Sequence, residues 1–145
     1  MNARETYRQA LFTRLQALQA DGAVITCDRR ARLLDDMNDG ELPALFVMAD
    51  DETVTEDDGA PPAHTLGAQV LIYTANPDPN TSAEVVLDDL LDAVEGALAP
   101  DSWATGTCTL GGLVQHCRIE GDIKIFAGAL GQRAAAVIPV KILVP

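Results

Sequence analysis

Cysteine and histidine are among the residues of this 145-residue chain whose types could support metal binding or nucleophilic catalysis. Cys108, His116 and Cys117 are close together in sequence. Cys117 directly follows His116, so on a strand their side chains point to opposite faces and cannot share a metal ion unless a bulge intervenes. Apolar neighbours surround these two cysteines and Cys27, which favours buried, unreactive thiols. An odd number of cysteines without a signal peptide also indicates reduced thiols in a cytosolic protein.

A calcium loop is the second chemistry that the sequence suggests, in the stretch DDMNDGELPALF at residues 35–46. Met37 would occupy a position that needs a side-chain oxygen, and Phe46 stands where a bidentate glutamate belongs. We therefore expect a solvated turn. The sequence contains no motif for phosphate loops, dinucleotide binding, zinc proteases or serine nucleophiles. We accordingly expect neither enzymatic activity nor a cofactor.

Charge is distributed unevenly along the chain. Residues 33–117 hold 17 of the 22 acidic residues and no lysine or arginine, so this segment carries −17. The other 60 residues carry all 10 cations and 5 acids, a net charge of +5. The overall charge of −12 argues against tight binding to nucleic acid or to an anionic membrane, because both need cations at the contact. No stretch approaches the roughly 18 apolar residues of a transmembrane helix.

Length and composition predict a single domain over residues 1–145. Hydrophobic residues make up 48% of the chain and aromatic residues only 4%, so aliphatic side chains must form most of the core. The first 15 residues carry charges throughout and lack the apolar region of a signal peptide.

Two segments, residues 2–20 and 82–98, have the apolar spacing of amphipathic helices. The first presents Tyr7, Leu11, Leu15 and Leu18 on one face, and the second presents Val86, Leu87, Leu90, Leu91, Val94 and Leu98. The opposite face of the second helix is acidic. Pro100 ends this helix.

Six strands are predicted, at residues 23–29, 42–49, 64–74, 107–120, 122–128 and 133–144. Pro139 lies inside the last of them, which predicts an edge strand or a bulge there. Three strands follow one another between the helices, which predicts a meander. The order α-β-β-β-α-β-β-β indicates an α+β fold with a mostly antiparallel or mixed sheet, two helices packed on one face and the other face partly open.

The chain as a whole resembles the tail terminator, or tail completion, proteins of long-tailed bacteriophages, the minor tail protein U-like family. The resemblance extends over nearly the full length and rests on a shared pattern rather than on one diagnostic motif. Its best local matches are LPAL at residues 42–45, the helix that ends in ALAPD at residues 97–101, and TLGG at residues 109–112. The terminal Pro145 departs from the pattern, since a final aromatic residue is more usual in that family.

The resemblance implies a structural virion protein of the tail–neck region that is assembled in the host cytoplasm. Proteins of this family form a hexameric ring on the head-proximal end of the tail tube, stop its polymerisation and present a surface to the head connector. The partners implied are therefore further copies of the chain, the tail tube protein and a head-closure or connector protein. DNA passes through the ring without being bound specifically. The resemblance implies no catalysis and no cofactor.

An acidic segment between the second and third predicted strands is the first candidate for a functional surface. We interpret residues 50–58 as an exposed, mobile loop that lines the ring or faces a partner, where its charge repels DNA or meets basic groups. Its candidate residues are Asp50, Asp51, Glu52, Glu56, Asp57 and Asp58. The alternative is a solvated loop that only keeps the protein soluble.

An arginine cluster, Arg29, Arg30 and Arg32, is the second candidate surface, since it is the densest group of cations in an acidic chain. We expect it to contribute to contacts between subunits, although a solvated strand end is the alternative. Two other functions also fit the sequence. One is another neck component, such as a head-closure or connector protein. The other is a small acidic inhibitor that mimics DNA, which would account for the 85 residues without a cation.

Overall fold

The computed structural model describes residues 3–56, 58–76, 80, 83–126 and 133–144. Two helices, α1 (Ala3–Ala20) and α2 (Ala83–Ala97), are present where the apolar spacing predicts them. α1 buries Leu11, Phe12, Leu15 and Leu18. Gly22 follows α1 with a φ of 83°, a left-handed conformation that favours glycine and ends the helix.

Six strands form one mixed sheet. They are β1 (Thr26–Asp28), β2 (Ala44–Thr55), β3 (Ala63–Ala75), β4 (His116–Ile119), β5 (Lys124–Phe126) and β6 (Arg133–Leu143). Their order across the sheet is β1-β2-β3-β6-β4, and β5 also pairs with β6. β1 and β2 are parallel, whereas all other pairs are antiparallel. The predicted element order and the α+β fold class are confirmed.

Both helices pack on the same face of the sheet, as predicted. α1 contacts α2 and β1, and α2 contacts β3 and β6. The core between helices and sheet consists almost entirely of aliphatic side chains, as the low aromatic content requires. Each fully buried leucine in this layer contributes about 1.5–3 kcal/mol relative to an exposed one. The helix layer is therefore the main source of stability.

The opposite face of the sheet is covered at one end by the connection between β1 and β2. Leu34 and Met37 of this connection pack with Phe46 and Tyr73 in a second, smaller core. Arg133 of β6 holds the connection in place, because its guanidinium donates to the carbonyl of Leu34 at 2.8 Å. The predicted meander is wrong in this region. β1 runs parallel to β2, so the chain must cross this face of the sheet between them.

Strand boundaries differ most from the predictions at β4 and at β2, and β1 is also shorter than the predicted strand 23–29. Only His116–Ile119 of the predicted strand 107–120 is a strand, and the residues before it form turns. β2 continues to Thr55, well beyond the predicted end at residue 49. The acidic residues from 50 to 55 are therefore part of a long hairpin with β3.

Pro139 lies in an interior strand, so the predicted edge position is wrong. β6 pairs with β3 on one side and with β4 and β5 on the other. The carbonyl of Pro139 accepts the amide of Glu120 at 3.1 Å, which places its ring nitrogen at the gap between β4 and β5. The missing N–H consequently falls where no strand pairs with it among the described residues.

Candidate functional site

The acidic segment is mainly a strand with a bulge, and the prediction of a loop is wrong for residues 50–55. Asp50 pairs with Gly67 and Glu52 with Leu66, so Asp51 is the extra residue of a β-bulge. Gly67 is required opposite the bulge, because a Cβ atom there would collide with the carbonyl oxygen of Asp51. Asp57 lies outside the described residues.

The bulge turns the side chain of Glu52 toward the face of the sheet that the helices cover, where it binds Arg4 and His64. Its carboxylate accepts hydrogen bonds from Arg4 of α1 at 2.7 and 3.1 Å and lies 2.8 Å from Nδ1 of His64. The hydrogen bond from Arg4, followed by that from His64, lowers the pKa of Glu52 to about 2. Glu52 therefore fastens the hairpin to the start of α1 and is not free to meet a partner.

The other described acids of this segment differ from Glu52. Asp51, Glu56 and Asp58 are exposed, and their carboxylates have no partner among the described residues. Asp50 is half-buried, and its carboxylate accepts the backbone amide of Asp51 at 2.8 Å and a long hydrogen bond, 3.5 Å, from Gln69. The unpaired charge is thus concentrated at the bulge and at the tip of the β2–β3 hairpin.

The arginine cluster is largely engaged within the molecule. Arg29 forms an ion pair with Glu5 at 2.7 Å, and Arg32 forms one with Glu41 at 2.8 Å. The side chain of Arg30 is exposed and makes no ion pair with any residue that the structure describes. Of the three predicted interface residues, Arg30 is the one whose charge is available to another molecule.

Asp101 organises a site that the sequence did not predict. Its carboxylate accepts the backbone N–H and the hydroxyl of Thr109 at 2.7 and 2.8 Å, the N–H of Gly111 at 3.1 Å, and Arg14 of α1 at 2.9 Å. The two bonds from Thr109, followed by the others, hold the pKa of Asp101 well below its usual range. The Asp101 carboxylate therefore connects the end of the ALAPD segment to the TLGG segment by hydrogen bonds.

The turn that follows Asp101 displays the only tryptophan of the chain. Trp103 is fully exposed, with a relative accessibility of 103%. Its turn is closed by the pairing of Ser102 with Thr107 and by a hydrogen bond of 2.9 Å from the amide of Gly106 to the Ser102 carbonyl. A large apolar side chain on a closed turn is typical of an anchor for a protein partner. The sequence signal was a lone tryptophan between Pro100 and Gly106.

A shallow groove of about 560 Å³ lies beside this turn. Thr6, Ala10, Thr13 and Ala17 of α1 form one wall, and Leu110 and Leu113 form the other. Most of the lining side chains are small or methyl-bearing, and Gln9 and Arg14 add polar groups. This arrangement suits contact with a mainly apolar surface.

The cysteines do not form a reactive or metal-binding group in the part of the chain that the structure describes. Cys108 and Cys117 are fully buried, whereas Cys27 is half-buried. Burial raises the pKa of the Cys117 thiol to about 12, so it stays protonated at neutral pH. Among the described residues, no three His, Cys, Asp or Glu side chains are arranged to hold a metal ion.

None of the helices in the described ranges has the length and apolar character needed to cross a membrane. The exposed face of α2 carries Glu84, Asp88, Asp89, Asp92 and Glu95, and this helix contains no cation. The chain therefore presents an acidic surface on the helix layer as well as at the hairpin tip.

Comparison with known proteins gives a fold similarity but no sequence family. No family model matches the chain, and no curated protein matches it in sequence. The fold is similar to that of a chain in a solved structure described as the virion of a native gene transfer agent (GTA) particle, with a TM-score of 0.57 and 13% sequence identity. The similarity covers 94% of this chain and 92% of that chain. The two chains thus share a fold over nearly their whole lengths.

Proposed function

We propose that this protein is a structural subunit of a phage-like virion and, within it, the tail terminator. The observation that carries the proposal is the fold similarity to a chain of a gene transfer agent virion, which includes almost all of both chains. The resemblance of the sequence to tail terminators is independent of that comparison. In this role the protein has no catalytic activity and needs no cofactor.

The surfaces suit a protein whose work is to make contacts. Trp103 provides an exposed apolar anchor, and its turn is closed by the pairing of Ser102 with Thr107 and by the hydrogen bond from Gly106 to Ser102. A preformed turn binds with little loss of conformational entropy, which favours affinity. We assign Trp103 and the neighbouring groove to contacts with the tail tube or with the head connector.

The tip of the β2–β3 hairpin is proposed to face the central hole of the ring or its rim. Glu56 and Asp58 are exposed at this tip, and Asp57 lies between them in the sequence. Unpaired carboxylates beside a DNA passage repel phosphates and keep the duplex from binding. Glu52 is excluded from this role because Arg4 and His64 already bind it.

Arg30 is the remaining candidate from the arginine cluster for a contact between subunits. We propose that an Arg30→Ala variant weakens ring formation more than Arg32→Ala, because Arg32 already forms an ion pair with Glu41. The effect of one exposed charge is small, on the order of 0.2–1 kcal/mol per contact. Native mass spectrometry of the two variants at low and high salt measures how readily each forms rings.

The test of function is a capping experiment with purified tail tubes. Tubes assembled with this protein should stop at a uniform length and carry a ring at one end in electron micrographs. Tubes assembled without it should continue to grow. Binding to heads or connectors alone, with no effect on tube length, would indicate another neck component instead. Binding to a DNA-binding enzyme, with no effect on tubes, would indicate the acidic inhibitor.

A further inference from the structure

The two outer edges of the sheet differ in charge at matching positions. β1 forms one edge, and beyond it the outer side of β2 from Val47 to Thr55 pairs with no strand among the described residues. β5 and β4 form the opposite edge, and no described strand lies outside them. Long unpaired edges are sites where another strand can pair.

Residues that pair across the sheet form rows that connect the two edges. One row consists of Asp28, Phe46, Leu71, Val137 and Lys124. Another consists of Asp50, Gly67, Lys141 and Arg118. Each row has an aspartate at or beside the β1–β2 edge and a cation at the β4–β5 edge. Members of a row share one face of the sheet, so the opposite charges lie on the same face.

The charges at the two ends of the first row are available to another molecule. Asp28 and Lys124 are both exposed. Among the described residues, the Asp28 carboxylate accepts only the backbone amides of its neighbours Arg29 and Arg30, and Lys124 has no ion pair. In the second row, Arg118 forms an exposed pair with Glu120 at 3.3 Å, which a better partner can replace.

We propose that the β1–β2 edge of one copy contacts the β4–β5 edge of the next copy, with Asp28 facing Lys124 and Asp50 facing Arg118. The occupant of each edge is therefore a second copy of this chain. The contact deepens the proposed ring, on which it rests, by naming the surfaces that join its subunits.

Strand direction is consistent with this contact. β1 runs parallel to β2, and β5 runs antiparallel to β6, which itself has the direction of β2. A rotation about an axis along the strands keeps these directions, so β1 of one copy and β5 of the next are antiparallel. Antiparallel edges can pair directly, and the sheet then continues from subunit to subunit.

The backbone N–H and C=O of Ile125 point outward, away from β6. The carbonyl of Pro139 accepts the amide of Glu120, so the odd-numbered residues of β6 face β4 and β5. Ile125 pairs with the even-numbered Ala136, and alternate residues of a strand face opposite sides. Its N–H and C=O are thus free to bond with β1 of a neighbour. The side chain of Ile125 is also half-exposed.

The charge pattern favours a head-to-tail contact over a two-fold one. If the β1–β2 edges of two copies met, Asp28 and Asp50 would lie opposite aspartates. If the β1–β2 edge meets the β4–β5 edge, they lie opposite Lys124 and Arg118. The other acids of the β4–β5 edge, Glu120 and Asp122, share no row with either aspartate. Contacts between unlike surfaces close into rings when the rotation permits, as a terminator requires.

Charge reversal tests the pairing within the full-length protein. Lys124→Asp places two acids opposite each other and should raise the concentration needed for ring formation about tenfold or more. Asp28→Lys alone should weaken rings similarly, whereas the double variant should restore them. Asp92→Lys on α2 is the control, since it reverses an exposed acid on a surface outside the contact. Thermal unfolding followed by circular dichroism verifies that each variant folds.

Removal of one backbone donor tests whether the strands themselves pair. Ile125→Pro eliminates an N–H that faces outward and leaves the bonds between β5 and β6 in place. It should weaken ring formation, whereas Ile125→Val, which keeps the N–H, should not. Analytical ultracentrifugation and native mass spectrometry report the rings in solution, and electron microscopy reports them on tail tubes.

Loss of rings in the single variants with recovery in the Asp28–Lys124 double variant supports the proposal. Rings of wild-type strength in Lys124→Asp and Ile125→Pro, or no recovery in the double variant, overturn it while the proposed function stands. If the wild type binds no tube but forms chains or dimers that the same substitutions weaken, the edge contact stands and the tail function is refuted. A wild type that stays monomeric with and without tubes overturns both.

Discussion

Two groups of carboxylates in this chain, those at Glu52 and Asp101 and those at the hairpin tip, have the same chemistry and different surroundings. Glu52 and Asp101 each accept several hydrogen bonds, and an arginine of α1 is among the donors to each. Glu56 and Asp58 are exposed and accept none from the described residues. The comparison shows that net charge does not identify functional acids. Local donors decide which carboxylates maintain the fold and which remain available to a partner.

Asp101→Ala is expected to cause the largest loss of stability among single substitutions at these carboxylates. It removes the acceptor of four hydrogen bonds and leaves the amides of Thr109 and Gly111 without their partner. Thermal unfolding should show a clear decrease in Tm, whereas the control Asp92→Ala on the exposed face of α2 should leave Tm unchanged. Equal Tm values for the two variants would contradict the assigned role of Asp101.

Glu52→Gln is expected to reduce stability less than Asp101→Ala and to change its pH dependence. The pKa of Glu52 is lowered from 4.5 to about 2, so the charged form is favoured by folding. Its stabilising contribution is complete above about pH 4.5 and is lost as the pH falls toward 2. Denaturant unfolding across this range should show a shallower decrease in free energy for Glu52→Gln. Parallel curves for both proteins would refute the paired state of Glu52.

Trp103→Ala should leave stability within about 0.5 kcal/mol of the wild type, because a fully exposed side chain supports no core. Its effect should instead appear in partner binding, where loss of a tryptophan anchor costs about 2 kcal/mol or more. Sedimentation of the variant with tail tubes or with connectors measures this loss. Trp103→Phe, which retains an aromatic ring, should bind more strongly than Trp103→Ala. Full binding by the alanine variant would remove Trp103 from the interface.

Neutralisation of the hairpin tip is expected to have the smallest effect on the isolated protein. Glu56→Gln with Asp57→Asn and Asp58→Asn should leave Tm unchanged, since the two described acids of this set have no partner among the described residues. If the tip lines the hole, capping persists and DNA release slows. If it faces a partner, capping or head joining fails. Normal capping and normal DNA release together would restrict the tip to a role in solubility.

The sequence predicts a helix or strand correctly where its apolar residues recur with a single helical or strand spacing. Leu11, Leu15 and Leu18 in α1 and the alternating residues of β3 have such a spacing, and both elements occur close to the predicted boundaries. The charge of the acidic end of β2 predicts a loop, whereas in the structure this segment is extended. Its pairing with β3 outweighs the low strand propensity of aspartate and glutamate.

The candidate site was less predictable because its interactions connect distant positions. Arg4 contacts Glu52 across 48 positions, and Arg14 contacts Asp101 across 87. No local pattern reports such pairs. The position of Pro139 in an interior strand depends on the gap between β4 and β5, which is also a tertiary feature. The sequence could locate the charges but not their partners.

The proposed role of this chain, termination of a phage-like tail by ring formation, is tested most directly by a length measurement on tail tubes. Tail tube protein is polymerised with and without the purified chain, and tube lengths and tube ends are recorded by electron microscopy. We expect tubes to stop growing when the protein is present and to carry a ring at one end. Tubes of the same length distribution with and without the protein, and without rings at their ends, would contradict it.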